Sequence, residues 1–135
     1  NDDAGAVVDE LFHGYTFSAH PAACAAALAN LDIFMAEDLI GRATAMSAGF
    51  LERVFSLADL PVVTDVRGYG MLAAFDLAPA EAPGARGYAV LKRLFEAGLL
   101  LKWTGDTGIL APALIAEDTH LDEMIERLRG VLSTL

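Results

Sequence analysis

From Pro21 onward, apolar residues recur at spacings of three and four: Leu28, Leu31, Met35 and Leu39, then Met46, Phe50, Val54 and Leu57. That spacing puts them on one face of a helix and predicts a long helical region, with a break near Glu37 and Asp38. Pro21 suits its first turn, because the N–H that proline lacks would be unpaired there anyway. Residues 62–66 and 71–77 read as strands, set off by Pro61 and by Gly68-Tyr69-Gly70, which predicts a tight turn between them. A second helix over 85–97 carries Tyr88, Leu91, Leu94 and Phe95 as its apolar stripe and stops at Gly98. Residues 99–104 and 109–115 bracket Gly105-Asp106-Thr107-Gly108, a hairpin signal. The last helix starts near Asp118 and ends with Arg127 and Arg129 at its negative pole, with Leu121, Met124, Ile125, Leu128 and Leu132 facing inward.

The order of elements defines an α+β class: a long N-terminal helix followed by a small, mostly antiparallel sheet with helices on one face. The chain of 135 residues has room for one core, and 55% hydrophobic residues supply the material for it, which excludes disorder as the main state. No internal repeat or low-complexity segment interrupts it, and the one joint suggested by composition is the Pro/Ala/Gly stretch over 78–85.

Nine basic residues against nineteen acidic ones leave a formal charge of −10, and the first 41 residues hold seven acids and no Lys or Arg. Nucleic acid is therefore not an expected partner, since phosphate neutralisation needs basic patches. The single cysteine, Cys24, has no partner for an internal disulfide; it points to a reducing compartment and reads as a small buried thiol. The most apolar stretch, Pro21–Ala36, is too short to span a bilayer and contains Asn30 and Asp32, so no membrane anchor is expected. Residues 1–10 are acidic and lack the basic flank and apolar run of a secretion signal, which points to a cytoplasmic location. The chain opens on Asn1 rather than methionine, as an excised or processed piece would.

The segment richest in polar groups runs from Phe12 to Pro21 and feeds the long helix. Hydroxyls and free N–H groups at a helix N-terminus both donate to a phosphate, so Thr16 and Ser18 are candidates for one; the alternative is a local turn or cap. His13 and His20 lack further ligands at metal spacing, and Ser18, His20 and Asp32 lack the elbow motif of a nucleophilic serine, so neither a metal nor a triad is expected. Gly68 to Ala73 fits the dinucleotide pattern G-x-G-x-x-A, but a strand rather than a helix follows the glycines and no acid lies at the required distance. Lys92 reads as a solvated helix residue. Lys102 interrupts an apolar run next to Trp103, where its charge must reach water, a partner or a ligand anion; an edge-strand lysine that deters aggregation is the plainer alternative. Arg67 faces a similar choice between a structural ion pair and an anion site.

Taken together, His13-Gly14-Tyr15-Thr16-Phe17-Ser18-Ala19-His20-Pro21-Ala22-Ala23-Cys24 closely resembles a segment of class III pyridoxal-phosphate-dependent aminotransferases, most of all the ω-amino-acid:pyruvate branch. Val66-Arg67-Gly68-Tyr69-Gly70-Met71-Leu72, Gly98 to Lys102, Gly105-Asp106-Thr107, Leu110-Ala111-Pro112 and Leu121-Asp122-Glu123-Met124 match in the same order. The resemblance implies that Thr16, with Tyr15 beside it, binds the cofactor phosphate across the interface of a homodimer or homotetramer. Lys102 falls where many ω-aminotransferases place an arginine that pairs with the substrate carboxylate. Lysine keeps the charge there but loses the bidentate fork, and with Trp103 it is expected to line the substrate pocket. Pro112-Ala113 replaces the family's usual proline pair.

The family's Schiff-base lysine precedes the His-Gly-Tyr-Thr motif, and neither Lys92 nor Lys102 matches it, so no catalytic residue is expected in this chain. The resemblance thus covers the C-terminal portion of such an enzyme: residues 1–37 as the crossing segment from the cofactor-binding domain and the start of the long helix, residues 38–135 as the small C-terminal domain. The implied reaction moves an amino group from an ω-amino acid or amine to a keto acid such as pyruvate. A related aminomutase or decarboxylase on the same scaffold, and an acidic interaction module without catalysis, are the alternatives.

Overall fold

The computed structural model describes residues 15–135. The chain divides into two compact units, Asn1–Glu37 and Asp38–Leu135. In the first unit, a turn leads into helix α1, Pro21–Ala36, with Pro21 in its first turn. Apart from Asn30 and Asp32, α1 is apolar on every side, and it buries none of its residues. Cys24 is therefore exposed, against the expectation of a buried thiol, and Leu28, Leu31 and Met35 are exposed with it. A helix without a polar side belongs to the kind that is surrounded in a larger core.

The second unit begins with Asp38, a left-handed residue (φ 44°) whose carboxylate accepts from the Gly41 N–H and caps helix α2, Leu39–Phe55. The helical region is thus broken at Glu37 and Asp38. A short 3₁₀ turn, Ser56–Asp59, leads to strands β1, Val63–Tyr69, and β2, Leu72–Leu77. Helix α3, Ala85–Glu96, strands β3, Lys102–Thr104, and β4, Thr107–Leu110, and helix α4, Asp118–Leu132, complete the unit. The sheet order is β1-β2-β4-β3 with every neighbouring pair antiparallel. β2 and β3 consequently run in the same direction, joined by α3, and β4 turns back to fill the gap between them.

One face of the sheet makes the core. Phe75, Leu77, Ala73 and Leu110 point into it and meet Phe50 and Val54 of α2, Val90 and Leu94 of α3, and Leu121, Leu128 and Leu132 of α4. Arg53 ties α2 to α4 through Asp118 at 3.0 Å and Asp122 at 2.6 Å, and that guanidinium holds the Asp122 carboxyl below its ordinary value.

Two hairpin boundaries and the buried face of one helix differ from the sequence reading. Gly68 and Tyr69 belong to β1, and the turn shrinks to Gly70-Met71 with Gly70 left-handed at φ 58°. Gly68 pairs with Ala73, and a Cβ there would lie 2.6 Å from Leu51 Cδ2, so its role is close approach rather than turning. In the second hairpin, Thr107 and Gly108 enter β4 and only Gly105-Asp106 turns, while residues 99–101 and 111–115 are outside the strands. On α3 the buried stripe is Gly87, Val90 and Leu94; Tyr88 and Phe95 are exposed, and the Lys92 ammonium sits 4.7 Å from the Tyr88 ring centroid.

Candidate functional site

Ahead of α1, Tyr15 and Ser18 clasp each other: the Tyr15 N–H donates to Ser18 Oγ and the Ser18 N–H donates to the Tyr15 carbonyl, both at 2.9 Å. Ser18 Oγ thereby accepts within the local turn, which fixes its place there while its O–H is left to donate. Ala19 follows in the left-handed region at φ 58°, a conformation that costs an alanine roughly 1–2 kcal/mol. Thr16 sits exposed at the corner of this turn, and its hydroxyl makes no hydrogen bond among the described residues. The first turn of α1 contains no acidic residue. A donor hydroxyl held just ahead of a helix N-terminus, with no carboxylate in the helix's first turn to repel an anion, suits a phosphate. His13, weighed with His20 as a metal ligand, lies outside the described residues.

On the sheet face away from the helices, Arg67, Ala74, Ile109 and Lys102 are successive partners across the four strands. Arg67 donates from Nη1 to Asp65 at 2.7 Å and grips Asp76 at 2.8 and 3.1 Å, while the Thr107 hydroxyl donates to Asp76 at 2.6 Å. Arg67 is therefore the structural ion pair of the two readings. Its guanidinium, followed by the Thr107 hydroxyl, holds the Asp76 carboxyl below its ordinary value against the opposing effect of burial, and the two carboxylates raise the Arg67 pKa in return.

Lys102 is different. It is exposed on the edge strand β3, forms no ion pair among the described residues, and lines a cleft of about 600 Å³ whose other walls include Leu72, Leu100, Ile109, Pro112 and Met124. This is an apolar trough with one uncompensated cation, a form suited to an amphipathic anion. Trp103 points to the opposite face, where its ring meets Phe75 edge-on at 5.6 Å and 88°. The structure thus brings Lys102 into the cleft and leaves Trp103 behind it.

One polar residue escaped the sequence reading. Asp106, at the β3–β4 turn, accepts from the N–H groups of Gly84 and Gly87 at 3.1 and 2.8 Å and caps α3 from a distance in sequence. The available signal was a glycine in the first turn of α3 together with an Asp-bearing tight turn.

The fold, the turn and the cleft define a class that comparison with known proteins makes plain. The class-III aminotransferase family model matches residues 2–132, and the chain belongs to that family. It is 47% identical over 124 residues to an omega-aminotransferase of Caulobacter vibrioides and 35% identical over 130 residues to a putrescine–pyruvate aminotransferase of Pseudomonas aeruginosa, covering 91% of this chain and 28% of the relative in each case. Among solved structures, a transaminase with L-alanine superposes with a TM-score of 0.84 at 32% identity over 98% of this chain and 33% of that one. The omega transaminase of Pseudomonas jessenii in complex with PMP gives 0.82 at 31% identity, over 98% of this chain and 31% of that one. The chain spans less than a third of the length of these relatives.

Proposed function

We propose that this chain forms the C-terminal part of a pyridoxal-phosphate-dependent aminotransferase that moves an amino group from an ω-amino acid or amine to a keto acid such as pyruvate. The observation that carries the reading is the Thr16 hydroxyl, left unbonded on the turn ahead of α1 within a motif of this family. Pyridoxal phosphate, when bound, supplies the electron sink for the chemistry. Thr16 donates to its phosphate, with Tyr15 beside it, and acts on the cofactor of the neighbouring subunit in a homodimer or homotetramer. Lys102 meets the carboxylate of the donor, and the apolar cleft walls take its methylene chain and keep water away. Residues 1–37 serve as the crossing segment from the cofactor-binding domain, where the predominantly apolar α1 finds its surroundings, and residues 38–135 are the small domain. The enzyme works in the cytoplasm; no helix among the described residues is long and apolar enough to cross a membrane.

The test is the whole enzyme incubated with pyruvate and a panel of ω-amino acids and amines, read as alanine formed. Alanine from at least one donor is the expected result, and none from any donor overturns the assignment. Release of carbon dioxide or transfer of the amine within one molecule would mark a decarboxylase or an aminomutase instead.

A further inference from the structure

We propose that Trp103 is a positioning residue for Lys102: its ring, anchored on Phe75 behind the edge strand, fixes where on the cleft rim the lysine ammonium stands. The inference rests on the reading of Lys102 as the carboxylate-binding group.

β3 is three residues long and hydrogen-bonded on one side only, to β4, through the pairs Lys102 with Ile109, Trp103 with Gly108, and Thr104 with Thr107. Lys102 and Thr104 are exposed, so Trp103 is the one side chain of this strand turned toward the core. So short an edge has few backbone bonds to hold it, and its lateral position depends on Trp103 within the strand and on the flanking Leu99 and Leu101, which pack against the same core. The indole lies over Gly108, where an added Cβ would come within 3.1 Å of Trp103 Cη2 and 2.6 Å of Phe75 Cζ, and it meets the fully buried Phe75 edge-on.

A second observation separates positioning from ordinary core filling. Trp103 Nε1 is buried without a hydrogen-bond partner among the described residues, a cost that a ring lacking that donor would not carry. Stability alone would favour phenylalanine, and what the indole adds is reach from the edge strand to Phe75. Side chains alternate along a strand, so any slide or roll of β3 that follows loss of the ring is passed directly to Lys102 on the other face.

Steady-state kinetics of the holoenzyme test this, comparing a carboxylate-bearing donor such as β-alanine with a carboxylate-free alkylamine. Trp103→Ala should raise KM for the carboxylate donor about tenfold through misplacement of the binding group, with kcat and the alkylamine KM little changed. Trp103→Phe, which keeps an aromatic ring but loses the reach to Phe75, should give a carboxylate KM between those of the parent and Trp103→Ala, and Trp103→Ala should add nothing in a Lys102→Ala background. Should Trp103→Ala fail to fold, Trp103→Leu is read in the same way. Equal KM increases for both donors, or full additivity with Lys102→Ala, would overturn the inference while leaving the Lys102 reading intact. An unchanged carboxylate KM in Lys102→Ala would overturn that reading and this inference with it.

Discussion

Asp106 in the β3–β4 turn accepts a 2.8 Å hydrogen bond from the N–H of Gly87 in the first turn of α3. Its second oxygen takes the Gly84 N–H at 3.1 Å, so one carboxylate satisfies two of the donors that a helix N-terminus leaves open. The turn comes so near that a Cβ on Gly87 would lie 2.1 Å from the Gly105 carbonyl oxygen, which is backbone and cannot swing aside. Asp106→Ala should therefore cost about 1–2 kcal/mol, as loss of a helix cap does, in a urea titration. Gly87→Ala should cost more than Asp106→Ala because it forces helix and hairpin apart. An alanine at 87 that is tolerated without loss would contradict the close approach.

The Arg67–Asp76 pair makes a prediction with a sign. Asp76 titrates below its unfolded value because Arg67 and Thr107 hydrogen-bond its carboxylate. A carboxyl depressed in the folded state contributes stability above its unfolded pKa and loses it as pH falls through the folded value. Asp76→Asn should thus lower the urea midpoint at neutral pH, and the gap to the parent protein should close as the solution is taken down through the carboxylate range. A gap that stays constant with pH would mean that the Asp76 charge contributes nothing.

Much of this arrangement was legible in the sequence, and the parts that were not share a cause. Periodicity located α4 and its inward face, since Leu121, Ile125, Leu128 and Leu132 recur on one side and are all buried. On α3 it located the helix and the buried Leu94 but missed Gly87 and Val90 as buried positions and placed Tyr88 and Phe95, which face solvent, on the inward stripe. A glycine that lets backbone approach backbone carries no hydrophobic signal. Gly68 and Gly108 misled the strand boundaries in the same manner, because the clash each avoids is set by a partner distant in sequence, Leu51 for one and Phe75 for the other. The stripe on α1 is apolar as read, yet the expectation that Cys24 would be buried failed: among the described residues α1 has no buried position and Cys24 is exposed. For the candidate site, the sequence offered Thr16 beside Ser18 as a hydroxyl in a polar segment ahead of a helix, and Lys102 as a charge interrupting an apolar run. The commitment of Ser18 to Tyr15, and of Arg67 to Asp65 and Asp76, needed coordinates.

With Ser18 Oγ held by the Tyr15 N–H in the turn and Thr16 exposed at its corner, Thr16 is the hydroxyl on which cofactor retention should mainly depend. Thr16→Ala should weaken binding of pyridoxal phosphate to the whole enzyme by about 1.5–3 kcal/mol, the range for one hydrogen bond to a charged group. Thr16→Ser, which keeps the donor, should restore most of it. Equilibrium dialysis provides the measurement, and the dephosphorylated cofactor is the control: its affinity should be the same for the parent and Thr16→Ala. A loss shared by both forms of the cofactor would place Thr16 away from the phosphate.

Lys102 should set the preference among donors by its charge. Arg67, the cation in the same cross-strand row, is neutralised by two carboxylates, whereas Lys102 reaches the apolar cleft without an ion-pair partner among the described residues. A donor with a distal carboxylate is attracted to that ammonium, and a diamine brings a second cation to a position already held by one. Lys102→Met, which keeps the length and apolar stem, should raise KM for an ω-amino acid and lower it for a diamine. Lys102→Arg should lower KM for the ω-amino acid, because the guanidinium fork binds both carboxylate oxygens where an ammonium offers a point charge. The two substitutions move one ratio, diamine against ω-amino acid, in opposite directions, which no general loosening of the cleft would do. Parallel changes for both donors in both variants would remove Lys102 from the donor site and leave it as a solvated edge-strand lysine.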